Sequence, residues 1–311
     1  KQGNDFLLVI DADPASPRFG RIVTSLETDQ KTVRPHHTEY TMPASGKLFA
    51  NDHDAGRTFI LDVRDPLHPS VVTSFGEMGG FAHPHSYLRL PNGNVLATFQ
   101  HDHATMHDAS RGKSGGTTYQ VWRLSDLKLL KTAYFDPGEQ GYAHISPEEA
   151  RVGPDGSVFV QSLGCGIERI TGIDTDTPVA KLVHTFPGNW CGVPTIVDRF
   201  LVQSVPAMHG FIVLDLADPA HPVEVSRLKI SDDFDPHWTA WDPATQRMVI
   251  TTGSASNNRM YLLKLDMATG ALSVDENFRD TDGKVGFSFE ERMWPHGWKG
   301  AGLPHGAVFS R

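Results

Sequence analysis

Apolar and polar residues alternate along most of this chain in runs of about five to seven, the period of half-buried β-strands. The runs come in pairs around a Pro or Gly turn, and one paired unit recurs. It reads HTEYTMPASGKLFAND from His37, HSYLRLPNGNVLATFQ from His85 and HWTAWDPATQRMVITT from His237. In each, a proline follows six residues after the histidine, at Pro43, Pro91 and Pro243. The segment EEARVGPDGSVFVQS has the same form, with Glu148 six residues before Pro154. A weaker copy, CGVPTIVDRFLVQS, starts at Cys191, and HGWKGAGLPHGAVFSR starts at His296 with its proline displaced to Pro304.

Second strand pairs follow most of these units, as in RTFILDVRDPLHPSVVTSF, TTYQVWRLSDLKLLKTAYF, GFIVLDLADPAHPVEVSRL and RMYLLKLDMATGALSV. Two hairpins make a four-stranded antiparallel sheet, and the unit starts are spaced about 52 residues apart, close to propeller-blade repeats. The N-terminal run DFLLVIDADPASPRFGRIVTSL reads as an outer hairpin lacking an inner one. The C-terminal run from His296 reads as the inner hairpin it lacks. The expected fold is therefore all-β, a six-bladed β-propeller (seven blades as the alternative). Residues 1–311 form one domain in this reading, closed by pairing N- and C-terminal strands in a single blade.

Composition narrows the functional classes. No apolar run reaches the roughly 20 residues needed to span a bilayer. Lys and Arg number 28 against 37 Asp and Glu, a net charge of −9 with no basic stripe, which argues against nucleic acid as a partner. The chain opens at Lys1-Gln2-Gly3 without an initiator Met. A removed leader is one reading, and the expectation is a periplasmic or secreted protein, with the cytoplasm as the alternative. The two cysteines, Cys165 and Cys191, are expected either to form one disulfide or to leave Cys191 as a thiolate ligand.

Histidine is over-represented, with 16 in the chain, and departures from average usage are informative. In a propeller the first strand of every blade lines the central channel, so equivalent strand starts converge on one axis. Those starts are His37, His85, Glu148, Cys191 (or Gly192), His237 and His296. Four of the six directly follow a proline, which sets the entry angle of the strand. His37, His85, His237 and His296 are the expected metal ligands. Clustered imidazoles repel when protonated, so a neutral, metal-bound set is the favourable arrangement. Glu148 and His144, in a loop over the same mouth, are the candidate proton carriers. His53, His101, His103, His107 and His209 follow second strands, where they either orient ligand rings or serve as polar loop residues. His68, His221 and His305 are placed in surface turns. Phe81, Tyr142, Trp190, Trp238, Trp294 and Trp298 are expected near the mouth, as pocket walls or as seals of the blade tops.

Several N-terminal segments resemble the selenium-binding protein family, which includes methanethiol oxidases. They are the DxDPxSP segment from Asp11 to Pro17, the pair His36-His37 and the His83-x-His85 motif. The resemblance covers about the first 130 residues. It implies a propeller, a copper ion and oxidative chemistry on small thiols. The family's cysteine-rich segment after the paired histidines is absent from HHTEYTMPASG, so selenium binding through cysteine is not implied.

The residues and the resemblance together lead to a metal-dependent oxidoreductase using O₂ on a small substrate such as a thiol. One transition-metal ion is expected; imidazole does not choose among copper, iron and zinc, and it is the resemblance that implies copper as the favoured metal, with iron second. The alternatives are an iron-dependent cleavage dioxygenase of an aromatic or alkene substrate, and a non-catalytic metal-binding propeller. The substrate and the oligomeric state are left open by the residues.

Overall fold

The computed structural model describes residues 3–31, 35–52, 57–76, 81–102, 118–126, 128–135 and 146–310. A hairpin of β1 (Phe6–Ile10) and β2 (Ile22–Glu27) opens the chain. The first four-stranded sheet runs β3 (Pro35–Thr38), β4 (Lys47–Asp52), β5 (Arg57–Asp62), β6 (Ser70–Phe75). The second runs β7 (Phe81–Arg89), β8 (Asn94–Asp102), β9 (Thr118–Arg123), β10 (Lys128–Tyr134). The third is β11 (Pro147–Val152), β12 (Val158–Ser162), β13 (Gly166–Thr171), β14 (Val179–Thr185). In the fourth, β15 (Pro194–Val197) leads to β16 (Phe200–Val205), β17 (Gly210–Asp215) and β18 (Val223–Lys229). The fifth holds β19 (Pro236–Asp242), β20 (Arg247–Thr252), β21 (Arg259–Leu265) and β22 (Leu272–Val274), and a short β23 (Phe287–Ser288) pairs with β21. A last two-stranded turn joins β24 (Arg292–Met293) to β25 (Lys299–Gly300).

The strands lie where alternation places them, and every pairing is antiparallel within its own stretch of chain. The first strands stand side by side, β3 against β7, β7 against β11, β11 against β15 and β15 against β19. Apolar clusters fill the spaces between adjoining sheets, as Phe159, Ile167, Leu201 and Ile212 do between the third and fourth. This is the expected propeller, with five complete blades among the described residues.

The sixth sector is built differently from the expected joined blade. The chain ends do meet there: Phe6, Leu8, Ile10 and Phe19 pack on the core that contains Trp238, Phe278, Phe289 and Trp294. No strand ladder joins β1 or β2 to residues 292–310 among the described residues. Gly302, Pro304 and Gly306 interrupt the C-terminal run, and such residues weaken a ladder. The C-terminal segment nevertheless takes the place of an inner strand between β19 and β3. Trp238 Nε1 donates to the Ala307 carbonyl at 2.6 Å on one side, and Gly306 N donates to the His36 carbonyl at 3.0 Å on the other.

Candidate metal centre

Four inner strands carry a proline, at the first position of β3, β11 and β19 and inside β7, and lose register directly after it. The ladder slips between Pro35 and Thr38, Pro84 and Ser86, Pro147 and Ala150, and Pro236 and Thr239. Proline has no N–H to give the neighbouring strand, and a bulge at that point re-aims the residues beyond it. In a regular strand consecutive side chains face opposite sides. At these bulges both members of the pairs His36-His37 and Glu148-Glu149 are buried instead.

Blade four lacks this device. Gly192 lies so close to β19 that a Cβ there would sit 2.4 Å from the His237 carbonyl oxygen, and Val193 N donates to the same oxygen at 2.6 Å. Backbone therefore fills the place of a side chain. Cys191, just before, is bonded to Cys165 in a disulfide that ties blade four to blade three. The thiolate alternative does not apply, and neither cysteine is free.

The bulges gather four imidazoles, and the C-terminal segment brings a fifth, His305. His36 and His37 stack with ring centroids 3.9 Å apart, and His85 stands edge-on to both, at 4.7 and 4.3 Å. His305 lies 4.4 Å from His36 and 4.1 Å from His237. One nitrogen from each of His36, His37, His237 and His305 falls in a group whose members are all within 4.8 Å of one another. A second such group contains His37, His85 and Glu149. The buried His36, His37, His85, His237 and Glu149 and the half-buried His305 form a donor set able to hold a metal ion.

The surrounding contacts orient the rings. Glu149 Oε1 lies 2.7 Å from His37 Nδ1 and 3.4 Å from His85 Nδ1. Its other oxygen accepts from Ser86 Oγ at 2.7 Å and from Arg151 Nη1 at 2.9 Å. Burial alone would push the Glu149 carboxyl up, yet the hydrogen bonds of His37 and His85 and the Arg151 charge hold it well below the usual carboxylate range. An ionised acceptor at Nδ1 places the His37 proton there and leaves Nε2 as its lone-pair donor. Glu148 Oε1 is 3.5 Å from His85 Nε2, and Gln161 Nε2 donates to Glu148 Oε2 at 2.9 Å. Asn51 braces two blades, accepting from His37 N at 2.8 Å and donating to the His85 carbonyl at 2.7 Å.

Of the residues singled out from sequence, His37, His85, His237 and Glu148 come together here. His296 stands apart. Pro295, His296 and Gly297 form a tight turn, with Gly297 N donating to the Trp294 carbonyl at 2.9 Å. Ser25 Oγ lies 2.6 Å from His296 Nδ1 and fastens this turn to β2. The histidine contributed by the C-terminal segment is His305, which lies beside His36 and His237 and not in the surface turn that the sequence predicts for it. His68 and His221 are on the surface as expected, their side chains 81% and 82% exposed. His209, half-exposed, contacts the Phe234 carbonyl at 3.2 Å and serves as a loop residue. Trp238 packs 4.6 Å from His37 and Trp190 stacks 6.2 Å from His237, whereas Trp294 and Trp298 pack around Phe6. His144, His53, His103, His107 and Tyr142 lie outside the described residues, as do the side chains of Phe81 and His101.

Sequence reasoning missed His36, His305 and Glu149. Pro304-His305 repeats the Pro-His step of the other blades, and that signal was available.

No protein-family profile matches the chain. A methanethiol oxidase from Hyphomicrobium sp. is 28% identical over 144 residues, 45% of this chain and 31% of that protein. The chain thus corresponds to under a third of that relative's length. Among solved structures, a hypothetical selenium-binding protein from Sulfolobus tokodaii superposes with a TM-score of 0.67 at 15% identity, covering 92% of this chain and 89% of that one. A periplasmic gluconolactonase of Pseudomonas aeruginosa gives a TM-score of 0.57 at 14% identity, over 86% and 75%. The structural likenesses show the propeller fold. The resemblance of one part of the chain to the selenium-binding protein and methanethiol oxidase family holds at the level of sequence.

Proposed function

We propose that the chain is a metal-dependent oxidoreductase, copper favoured and iron second, that uses O₂ on a small substrate such as a thiol. The observation that carries this reading is the buried imidazole group, and the sequence relation to a methanethiol oxidase supports it. Nitrogens about 2.0–2.1 Å from one ion lie at most about 4.2 Å apart, so donors within 4.8 Å need only a small contraction. Copper stands highest in the divalent affinity order for such ligands. In this proposal His36, His37, His237 and His305 hold the ion, and a bound copper supplies the electron-transfer chemistry that O₂ requires.

The other residues orient and move protons. Glu149 fixes the His37 ring, and Arg151 and Ser86 keep that carboxylate in place. His85, with carboxylates 3.4 and 3.5 Å from its two nitrogens, passes protons toward Glu148. The Cys165–Cys191 bond supports a periplasmic or secreted location, since disulfides persist in oxidising compartments. The test is elemental analysis followed by O₂ uptake with a panel of small thiols. Metal-loaded protein that consumes no O₂ with any of them overturns the reading, and a Cu(II) EPR signal as isolated separates copper from iron.

A further inference from the structure

The sixth sector, where no four-stranded blade stands among the described residues, contains a cavity of about 800 Å³. Leu8, Phe59, Leu262 and Phe289 give it an apolar wall. His36, His37 and His305 border the same space, so the cavity opens onto the imidazole group. Its origin is visible in β1. All five residues of that strand are half-buried, because a two-stranded hairpin cannot cover both of its faces. Phe6, Leu7, Leu8 and Ile10 of this strand line the cavity.

Pockets of roughly 300–1,000 Å³ suit drug-sized ligands, with an apolar body and a few polar contacts fixing orientation. A one-carbon thiol would fill a small part of this one. We infer that the substrate class of the site is an apolar molecule with a single thiol or hydroxyl, of aryl or medium-chain alkyl size. Its polar end meets the imidazoles and its body lies against Leu8 and Phe289. The inference rests on the reading of the imidazole group as the reaction centre.

1-Alkanols from 1-butanol to 1-octanol test it by calorimetric titration of the purified chain with O₂ excluded, so that binding is read without turnover. A buried methylene contributes roughly 0.8 kcal/mol, so affinity should rise about fourfold with each added carbon. Leu8→Trp, which fills the cavity from β1, should weaken 1-octanol binding at least about tenfold with metal content unchanged. Ala307→Leu fills it from the C-terminal side and carries the test if Leu8→Trp fails to fold. Equal affinity along the series, or a gain per carbon that survives filling of the cavity, overturns the inference. Absence of metal or of O₂ uptake in the unaltered chain overturns the oxidoreductase reading instead, and the alkanol series still reads out.

Discussion

Blade four and the sixth sector are made from similar alternating strands and end in opposite conditions. In blade four every residue of β16 is buried, and Phe211 and Leu214 of β17 are fully enclosed. In the sixth sector β1 is half-buried throughout, and among the described residues no ladder joins it to the C-terminal segment. Four strands bury both faces of their inner pair; two strands leave one face over. The fully packed blade gives no donor to the axis, and the incomplete sector contributes both His305 and the space beside it. Stability and access to the site are therefore provided by different parts of the ring.

The largest expected effect concerns the donors. His37→Ala and His237→Ala should each lower metal affinity by well over about tenfold, since even residues that only orient a ligand cost about that much. His296→Ala, which removes a Ser25 contact and no donor, should retain its metal. Elemental analysis decides, and unchanged content in the first two variants removes the site.

Packing comes next. Phe211→Ala in blade four should cost about 3–5 kcal/mol in urea unfolding, whereas Leu8→Ala in the sixth sector should cost about 1 kcal/mol because its site is half-empty. Equal costs would erase the contrast between the two regions. Replacing both Cys165 and Cys191 by alanine opens a loop of 26 residues and should lose about 2–4 kcal/mol. That loss belongs to blades three and four, so alkanol binding in the sixth sector should be unaffected.

A more local effect is acid sensitivity in blade five. Burial would raise the Asp275 carboxyl, but hydrogen bonds from Arg247, the Asn277 backbone and Lys264 hold it below its ordinary value. A folded-state value below the unfolded one stabilises the fold above the unfolded value, and this contribution is lost as pH falls through the folded one. Asp275→Asn should cost about 1.5–3 kcal/mol at neutral pH and flatten the acid limb of a stability–pH profile. A profile with the same acid slope as the parent would show that Asp275 carries none of it.

Much of the propeller was legible because alternation and turn residues are local. The pairs β5–β6, β9–β10, β17–β18 and β21–β22 fall where their segments were read as hairpins. The site was legible in part. The strict alternation that finds strands also selects one residue of every adjacent pair, so His36 and Glu149 were passed over in favour of His37 and Glu148. The bulge suspends that alternation and turns both inward. At the C-terminus two Pro-His steps compete. Pro295-His296 is followed by Gly297 at φ 87°, which makes a turn, and only Pro304-His305 lies between β3 and β19. Local pattern does not distinguish them; position in the ring does.

The proline bulge separates the device that presents a side chain from the side chain presented. Pro84-His85, Pro236-His237 and Pro147-Glu148 share one backbone solution and differ in what it displays. The ring behaves as a set of interchangeable sockets around a fixed axis. Exchanging His for Glu at one socket changes the charge and hardness of the donor set without rebuilding a blade. A scaffold of this kind can change metals, or lose its metal, by single substitutions while the fold stays as it is.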